Sequence, residues 1–440
     1  MNGLRPSCKW LVRLEPAILL LIGPLVLLRP KVGAVLLVAV PATWLCRRAT
    51  TGHFVRRTPL DGPIALLLVM ALVTLGVTPV PALTLPRVLA LVWGIAVFYG
   101  VAAHARGKRA LLAAVTLYVI FGAGIAGVGL LGTNWLYKLG QIEGLVRRLP
   151  AALRGLPGAE AGFHPNEVAG TLLWFIPVQV ALLACWLAGR WDAGFRRPAG
   201  GLLLSSTGLA LFTLVLTQSR GGWGGFAVAL LAMLAMTGRR GRIAAAVLGP
   251  PGLLAVAYVG LARPFGIMSS GTAEEMVVGG SVAFRLEVWR GALWGIADFP
   301  FTGMGLGAFR RVAPLLYPLD IKPGYPFAHA HNHLLHTGVE LGIPGLVAYV
   351  ATWLLAARLV VAACRRMQGW LRALAVGSGG ALVAYFVYGI TDTVALGAKP
   401  GVMFWYLLGL IVALHRLATG PAVEQDALPQ MAGKSAGAGD

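Results

Sequence analysis

Long apolar runs constrain the fold of this chain more than any other feature of its sequence. The sequence contains about twelve of them. A run of about 17 to 25 apolar residues, wound as a helix, spans the hydrocarbon core of a bilayer, which is ~30 Å thick. Only 12% of the 440 residues are charged, whereas ordinary soluble domains carry roughly 25%. We therefore predict an all-α polytopic membrane protein with about twelve transmembrane helices. The predicted spans are residues 14–29, 31–46, 62–77, 85–103, 110–131, 167–188, 201–217, 222–237, 243–262, 338–362, 371–391 and 400–418.

Lysine and arginine residues set the predicted orientation of these spans. Cytoplasmic loops carry an excess of both residues, and a cytoplasmic N-terminus places the excess on that side. The chain then has both termini in the cytoplasm, with a transmembrane domain at residues 1–420 and a tail at 421–440 that we predict to be disordered. The basic residues that decide the orientation are Arg47, Arg48, Arg56, Arg57, Arg106, Lys108, Arg109, Arg190, Arg196, Arg197, Arg239, Arg240, Arg242, Arg365, Arg366 and Arg372.

The formal net charge of +21 raises the question of a nucleic-acid partner. The basic residues are spread over many loops, and no basic domain or aromatic-interleaved basic motif accompanies them. Topology and anionic lipid account for the charge instead. We expect membrane lipid as a partner and no nucleic acid.

Two outer loops are long, at residues 132–166 and, between spans 9 and 10, at 263–337. In the second, Ser281 can cap a helix that runs to about Asp298, and a glycine-rich segment, GMGLGAF, follows at 303–309. We predict short helices at the outer membrane boundary, not a separate globular domain. The apolar stripe predicted for the first helix is Phe284, Val288, Leu293 and Ile296.

The end of the larger loop, HAHNHLLHTGVELGIPG at 329–345, holds four histidines, namely His329, His331, His333 and His336. Titratable groups beside a bilayer are costly, which marks the segment as a candidate site. On a helix, His329 and His333 would share one face. A zinc site is one reading, although no Cys or Asp lies nearby. A neutral imidazole acting as a general base is another, with Glu340 available to orient it, and histidines hydrogen-bonded at a helix start are a third.

Two arginines outside this segment are candidates for binding an anion. Arg220 lies in TQSRGGWGG at 217–225, at the outer junction of two spans, where an arginine can also extend to lipid headgroups. Arg285 lies on the predicted loop helix, where it can also form a solvated face with Glu287 and Arg290. Guanidinium groups match phosphate oxygens bidentately. Two of them on a pyrophosphate would stabilise charge on a leaving group.

The pattern His331, Asn332, nine residues and Gly342 to Gly345 resembles the H-N-x9-G-x-x-G signature of the bacterial O-antigen ligase family, within the O-antigen ligase and polymerase superfamily. Four further motifs resemble the family in the same order along the chain. They are GFHPNEVAG at 162–170, TQSRGGWGG at 217–225, RLEVW at 285–289 and GMGLGAF at 303–309.

The resemblance implies a glycosyltransferase in the bacterial inner membrane whose active site, with the loops 132–166 and 263–337, faces the periplasm. Its donor would be an O-antigen on undecaprenyl pyrophosphate and its acceptor a sugar hydroxyl of the lipid A core, with inversion and with no metal or other cofactor. By the same resemblance, His331 is the essential base, and Arg220 and Arg285 bind the donor pyrophosphate. The supporting residues that we predict are Asn332, His329, Glu340, Asn166, Arg147, Arg148, Arg310 and Arg311.

Two alternatives stay open on the sequence. An O-antigen polymerase or a protein O-oligosaccharyltransferase of the same superfamily would differ mainly in its acceptor. A transporter of lipid-linked glycan would suit twelve spans, but transporters usually carry an internal repeat and ionisable groups near the midplane. In this chain the polar groups gather at one outer face.

Overall fold

A computed structural model describes residues 4–28, 39–135, 144–146, 148–149, 152–153, 155, 159–192, 196–261, 282–321 and 327–420. Within these ranges the regular structure is helical, apart from an isolated bridge between Thr133 and Phe163, which confirms the predicted all-α class. The tail predicted at 421–440 lies outside the described residues. The helices are α1 (Leu4–Leu28), α2 (Ala39–Thr51), α3 (Asp61–Val77), α4 (Pro81–His104), α5 (Lys108–Gly132), α6 (Pro165–Leu172), α7 (Ile176–Leu187), α8 (Arg196–Leu216), α9 (Arg220–Met236), α10 (Arg239–Leu261), α11 (Val282–Asp298), α12 (Phe309–Leu316), α13 (His333–Arg366), α14 (Gly369–Gly389) and α15 (Val402–Thr419).

Six helices in these ranges are long and apolar enough to cross a bilayer: α4, α5, α8, α13, α14, and α15 with the turn before it. Helices α6 and α7 make a seventh span if they are counted together, and α3 and α9 are apolar but shorter. The chain is therefore a multi-pass membrane protein. The count of twelve spans and the side on which each loop lies stay predictions.

The span predicted at 167–188 is not one straight helix, because α6 and α7 meet at a bend of 43°. Pro177 lies in the first turn of α7. A proline has no N–H to donate, and its ring clashes with the carbonyl four residues earlier. The chain therefore turns between Leu172 and Ile176, and the bend directs the start of α6 toward the loop that follows α14.

Close packing of small and aromatic residues holds the bundle together. A methyl group on Gly225 of α9 would lie 2.4 Å from the Ala384 carbonyl oxygen of α14, so the two helices approach to backbone contact there. Trp174 stacks on Tyr385 with 3.9 Å between ring centroids. Helices in a bilayer associate through this kind of packing, since lipid tails are as apolar as the side chains.

The helix predicted before Asp298 is present as α11, while its predicted cap, Ser281, lies outside the described residues. Phe284 and Val288 are buried, but Leu293 is 55% exposed, so its place in the apolar stripe was wrong. Ala292, four residues after Val288, takes the buried position. Leu293 points the other way, as does Leu286, which is seven residues earlier and 54% exposed.

The long helix α13 is broken at Gly342, where φ is 71° and ψ is 178°. The left-handed value favours glycine, because a Cβ there is strained. The break frees carbonyl groups of the preceding turn, and the glycine-rich segment pairs with them. Met304 N donates to Val339 O at 2.8 Å, and Gly305 N donates to Glu340 O at 3.1 Å. The G-x-x-G part of the signature therefore marks the place where the glycine-rich segment attaches to α13.

Replacing Gly342 with alanine is expected to destabilise the protein by about 1–3 kcal/mol, the usual cost of a strained backbone position. A methyl group there would also lie 2.8 Å from the Phe301 carbonyl oxygen. Thermal unfolding of the purified protein in detergent measures the effect. Gly124→Ala is the matched control, since Gly124 is helical and a methyl there meets nothing within 4 Å. Equal melting temperatures for the two variants would contradict the prediction.

Helices α4 and α15 pack together and define two ends of the bundle. At one end, Arg87 near the start of α4 lies against the backbone of Gly397, just before α15. At the other end, Arg416 Nη1 donates to Ala102 O at 2.6 Å. The histidine segment and the glycine-rich segment lie at the first end.

Candidate functional site

The histidine segment enters α13 through an asparagine cap. Asn332 Oδ1 accepts hydrogen bonds from Leu334 N at 3.0 Å and Leu335 N at 3.1 Å, as an N-cap side chain does. Its Nδ2 donates to Ile390 O at 3.2 Å, which ties the start of α13 to the loop after α14. The helix thus begins at His333. Placing His329 and His333 on one helical face was therefore wrong, since His329 and His331 precede the helix.

The loop after α14 brings a carboxylate to these two histidines. His329 Nε2 and His331 Nδ1 each lie 3.4 Å from Asp392 Oδ1. The other oxygen, Oδ2, accepts from Asn166 Nδ2 at 2.8 Å, and Oδ1 also accepts from Thr393 N at 2.9 Å. We call His329, His331 and Asp392 the His-Asp cluster. The sequence reasoning missed Asp392, although a carboxylate in a short turn between two apolar spans is a usable signal.

One hydrogen bond fixes the position of the proton on His329 in the His-Asp cluster. His329 Nδ1 accepts from His331 N at 3.2 Å, so the proton of a neutral His329 lies on Nε2, toward Asp392. Burial lowers the pKa of His329 to about 3. Burial alone would raise the pKa of Asp392, but His331 and His329 outweigh it and hold that pKa below its usual range. The cluster therefore contains a carboxylate and a neutral His329 near pH 7.

His331 is the member of the cluster that can meet a substrate. The two histidines are about equally exposed, but both ring nitrogens of His329 are engaged, Nδ1 with His331 N and Nε2 with Asp392. His331 presents Nδ1 to Asp392, which leaves its Nε2 for a proton from another group. The backbone of His331 is left-handed, with φ at 51°. Non-glycine residues adopt this conformation only where the surroundings enforce it, and such positions concentrate at functional sites.

The other two histidines have structural surroundings. His333 Nδ1 lies 3.0 Å from the Tyr349 hydroxyl, and its ring packs on Trp353 and Phe386. His336 Nε2 lies 3.4 Å from Glu340 Oε2. Both histidines are buried, so neither is placed to meet an acceptor sugar.

Glu340 lies beside a histidine, but that histidine is His336 and not His331 of the His-Asp cluster. Its Oε2 faces His336, and its Oε1 accepts from Gly307 N at 2.8 Å. The reason is the break at Gly342, which directs the end of this helical segment to the glycine-rich loop. Asp392 takes the place beside His331 instead.

Arg285 enters the site from α11. The ring of its neighbour Phe284 meets the His331 ring edge-on, with 5.7 Å between centroids. Arg285 lies within electrostatic reach of Tyr388, whose hydroxyl donates to Asn166 O at 2.7 Å.

The solvated ion-pair face that was the alternative role for Arg285 is formed by Glu287 and Arg290, without Arg285. Glu287 and Arg290 pair with each other at 2.8 Å. Arg285 Nε is buried and lacks a hydrogen-bond partner among the described residues. A buried guanidinium nitrogen on the helix whose Phe284 contacts His331 is well placed for an anionic ligand.

Arg220 is the first residue of α9 and is exposed. Ser219 caps this helix by accepting from Gly222 N at 3.3 Å. A methyl group on Gly221 would lie 3.0 Å from Thr391 Oγ1, so the start of α9 lies against the residue before Asp392. The segments that carry Arg220 and Arg285 thus both reach the surroundings of the His-Asp cluster.

The remaining residues that we predicted as supporting differ in how close they lie to the His-Asp cluster. Asn166 lies in the site, bonded to Asp392. Arg310 is half-buried near Glu340, and burial lowers its pKa. Arg148 and Arg311 are exposed, and no contact in the described ranges joins them to the His-Asp cluster. Arg147 lies outside the described residues.

A second residue that the sequence reasoning missed is Arg87, on α4. It lies within electrostatic reach of His329, His336, Glu340 and Arg310. The signal was available, because an arginine inside a predicted span is costly and marks a functional or structural site.

The His-Asp cluster also has the donor atoms of a metal site. Its two ring nitrogens and one carboxylate oxygen lie within 4.8 Å of one another. The argument against zinc relied on the lack of a nearby aspartate, and Asp392 supplies one in space. Imidazole and carboxylate donors suit several divalent metals, so the expectation of a metal-free site calls for its own test.

A comparison with protein families assigns part of the chain to a known family. A family model described as O-antigen ligase matches residues 206–350. This part of the chain belongs to the O-antigen ligase superfamily. The match supports the resemblance read from the motifs between 217 and 345, and it suggests an activity of the ligase and polymerase type. The match includes Arg220, Arg285 and His331, while Asn166 and Asp392 lie outside it. A search of curated proteins finds no match.

Proposed function

We propose that the protein is an O-antigen ligase, which transfers a glycan from undecaprenyl pyrophosphate to a sugar hydroxyl of the lipid A core. The observation that carries this proposal is the His-Asp cluster beside two separate arginine segments. His331 lies 3.4 Å from Asp392, Phe284 next to Arg285 contacts the His331 ring, and Gly221 next to Arg220 lies against Thr391. A base and two cations are what transfer from a lipid pyrophosphate needs.

In the proposed reaction, Arg220 and Arg285 bind the pyrophosphate of the donor. His331 Nε2 removes the proton from the acceptor hydroxyl as its oxygen attacks the anomeric carbon. The new glycosidic bond forms while the bond from that carbon to the pyrophosphate oxygen breaks, and undecaprenyl pyrophosphate leaves. Attack opposite the leaving group inverts the anomeric centre. The two arginines stabilise the charge that develops on the leaving oxygen.

Asp392 assists the base in this scheme. Its carboxylate faces Nδ1 of His331, so it favours the tautomer whose Nε2 lone pair is free, and it stabilises the imidazolium that forms. Asn166 and Thr393 hold the carboxylate in place through Oδ2 and Oδ1.

The proposed location is the bacterial inner membrane, with both termini in the cytoplasm and the His-Asp cluster on the periplasmic side. The charge pattern of the loops supports this orientation. Large apolar side chains near the site also support contact with the outer leaflet, from which a lipid donor would enter. They are Leu286 at 54%, Leu293 at 55%, Leu315 at 84% and Leu316 at 51% exposure.

The molecule that receives the glycan distinguishes a ligase from a polymerase and from a protein oligosaccharyltransferase. We would reconstitute the full chain in vesicles with an undecaprenyl-pyrophosphate-linked glycan and offer three acceptors in parallel. These are rough lipopolysaccharide, a second lipid-linked repeat and a protein hydroxyl. Glycosylation of the lipid A core supports the ligase. Elongation of the lipid-linked repeat would instead identify a polymerase, and glycosylated protein an oligosaccharyltransferase.

Replacing Asp392 with asparagine is expected to lower kcat by about 10² or more, because His331 loses the group that sets its tautomer and stabilises its charged form. The KM for the donor should change little, since Asp392 is not placed to bind the pyrophosphate. Asp320→Asn is the matched control, as Asp320 is exposed on the same side of the protein. Equal kcat in both variants would remove Asp392 from the mechanism.

Transfer is expected to continue in the presence of a chelator, because the arginines supply the charge that a metal would. Turnover is measured before and after dialysis against EDTA, with added Mg²⁺, Mn²⁺ or Zn²⁺ as separate arms. Activity that is lost on dialysis and restored by one metal would assign the His-Asp cluster to metal binding.

A further inference from the structure

The end of the bundle opposite the His-Asp cluster contains a basic cavity. Its volume is about 400 Å³, and it lies where α15 ends and where the chain approaches α3. The lining residues are Arg56, Arg57, Arg416, Thr419 and Gly420. Nothing in the proposed transfer reaction uses this cavity.

Arg416 is fixed in the wall of the cavity by neutral acceptors. Its Nη1 donates to Ala102 O at 2.6 Å, and its Nη2 donates to Arg57 O at 3.0 Å and to Arg56 O at 3.4 Å. These carbonyl groups orient the guanidinium group but leave its full positive charge. The cation is therefore ordered before any ligand arrives, which reduces the entropic cost of binding.

The charge around the cavity is not balanced by the protein. Within the described ranges, Arg56, Arg57 and Arg416 form no ion pair with an acidic side chain. Arg106 is a further cation close to Arg56. Burial lowers the pKa of Arg106, and the positive charge of Arg56 lowers it further.

Asp61 is the acidic group close to Arg416, and its oxygens are already used. Oδ2 accepts from Thr58 N at 2.9 Å, while Oδ1 accepts from the Thr58 hydroxyl at 2.6 Å and from the Tyr99 hydroxyl at 2.9 Å. These donors are neutral, so Asp61 keeps one negative charge, which faces the cations of Arg56, Arg106 and Arg416 as well as Arg57. A surplus of positive charge therefore remains at the ends of membrane-crossing helices.

We propose that this cavity binds the phosphate group of an anionic phospholipid from the adjoining leaflet. A phosphodiester offers oxygens that match guanidinium donors. Basic pockets between transmembrane helices on the cytoplasmic side bind acidic lipid headgroups by this chemistry. The position suits a lipid, since the cavity lies at the ends of α4 and α15, where the acyl chains could run along the bundle. The proposal is independent of the glycan-transfer reaction.

Native mass spectrometry of the full chain, purified in detergent and mixed with phosphatidylglycerol or phosphatidylcholine, tests the proposal. The wild type should retain phosphatidylglycerol and not phosphatidylcholine. The double variant Arg56→Gln, Arg57→Gln should lower phosphatidylglycerol occupancy by about tenfold, taking roughly 1 kcal/mol for each basic residue and allowing for incomplete additivity. Both side chains are exposed, so the variant should fold, and its elution from a gel-filtration column checks this.

The matched control is Arg239→Gln, Arg240→Gln, which removes the same charge from another exposed pair at the start of α10. It should retain the lipid as the wild type does. An equal loss in the control would overturn the proposal in favour of general attraction to basic loops. Retention of phosphatidylcholine would also overturn it, as would displacement of the lipid by millimolar inorganic phosphate, which would identify a site for the free anion.

Discussion

Glycan transfer is expected to fall by about 10² to 10⁴ when His331 is replaced with alanine, the range that loss of a general base produces. Donor binding should be unchanged, because Arg220 and Arg285, and not His331, are proposed to bind the pyrophosphate. The measurement is single-turnover transfer at saturating donor, with donor affinity determined separately. His53→Ala is the matched control, since His53 is exposed and precedes α3 at the opposite end of the bundle.

The backbone of His331 requires a second variant in this experiment. With φ at 51°, alanine adds strain of about 1–2 kcal/mol, which could reduce activity without any loss of chemistry. Asparagine tolerates the left-handed conformation but cannot act as the base. His331→Asn should therefore unfold at the wild-type temperature and still be inactive. Wild-type turnover in either variant would show that another group takes the proton.

Alanine at Arg285 or Arg220 is expected to weaken donor binding by about 10- to 100-fold, since a hydrogen bond to a charged group contributes about 1.5–3 kcal/mol. Lysine should restore only part of the affinity, because the ammonium group lacks the planar fork. The effect should be larger for Arg285, whose Nε is buried, than for Arg220, which is exposed.

Donor affinity in this series can be measured by competition with a short-chain analogue of the lipid pyrophosphate. Arg290→Ala is the matched control for Arg285, because both lie on α11 and Arg290 pairs with Glu287. If Arg290→Ala lowers donor affinity as much as Arg285→Ala does, the effect is one of overall charge. A specific contact between Arg285 and the pyrophosphate is then not supported.

The sequence was sufficient to predict the all-α class and the family, but neither the full site nor a confirmed number of spans. Long apolar runs predict helices because lipid offers no hydrogen-bond partners to the backbone, and a helix pairs its N–H and C=O groups within the segment. The motif around His331 was recognised by its resemblance to the family, and the structure shows local roles for two of its residues, Asn332 as a helix cap and Gly342 in a left-handed backbone. Because both roles are local, a single sequence contains them.

Contacts between distant segments could not be predicted in the same way. Asp392 and Asn166 are 226 residues apart, and no local pattern indicates that they meet. The bend before Ile176 was missed because apolar composition was given more weight than Pro177. The sequence did not indicate which histidine Glu340 would face, and in the structure it lies beside His336, with Gly307 N donating to its Oε1.

The late position of Asp392 has a consequence for biosynthesis. A nascent chain that has already inserted the whole matched region, residues 206–350, still lacks the carboxylate that faces His331. The site becomes complete only after α14 has left the ribosome and the following loop has emerged. A truncated product that ends before Asp392 would therefore carry the arginines proposed to bind the donor without the carboxylate proposed to assist His331. We expect it to bind lipid-linked glycan without transferring it.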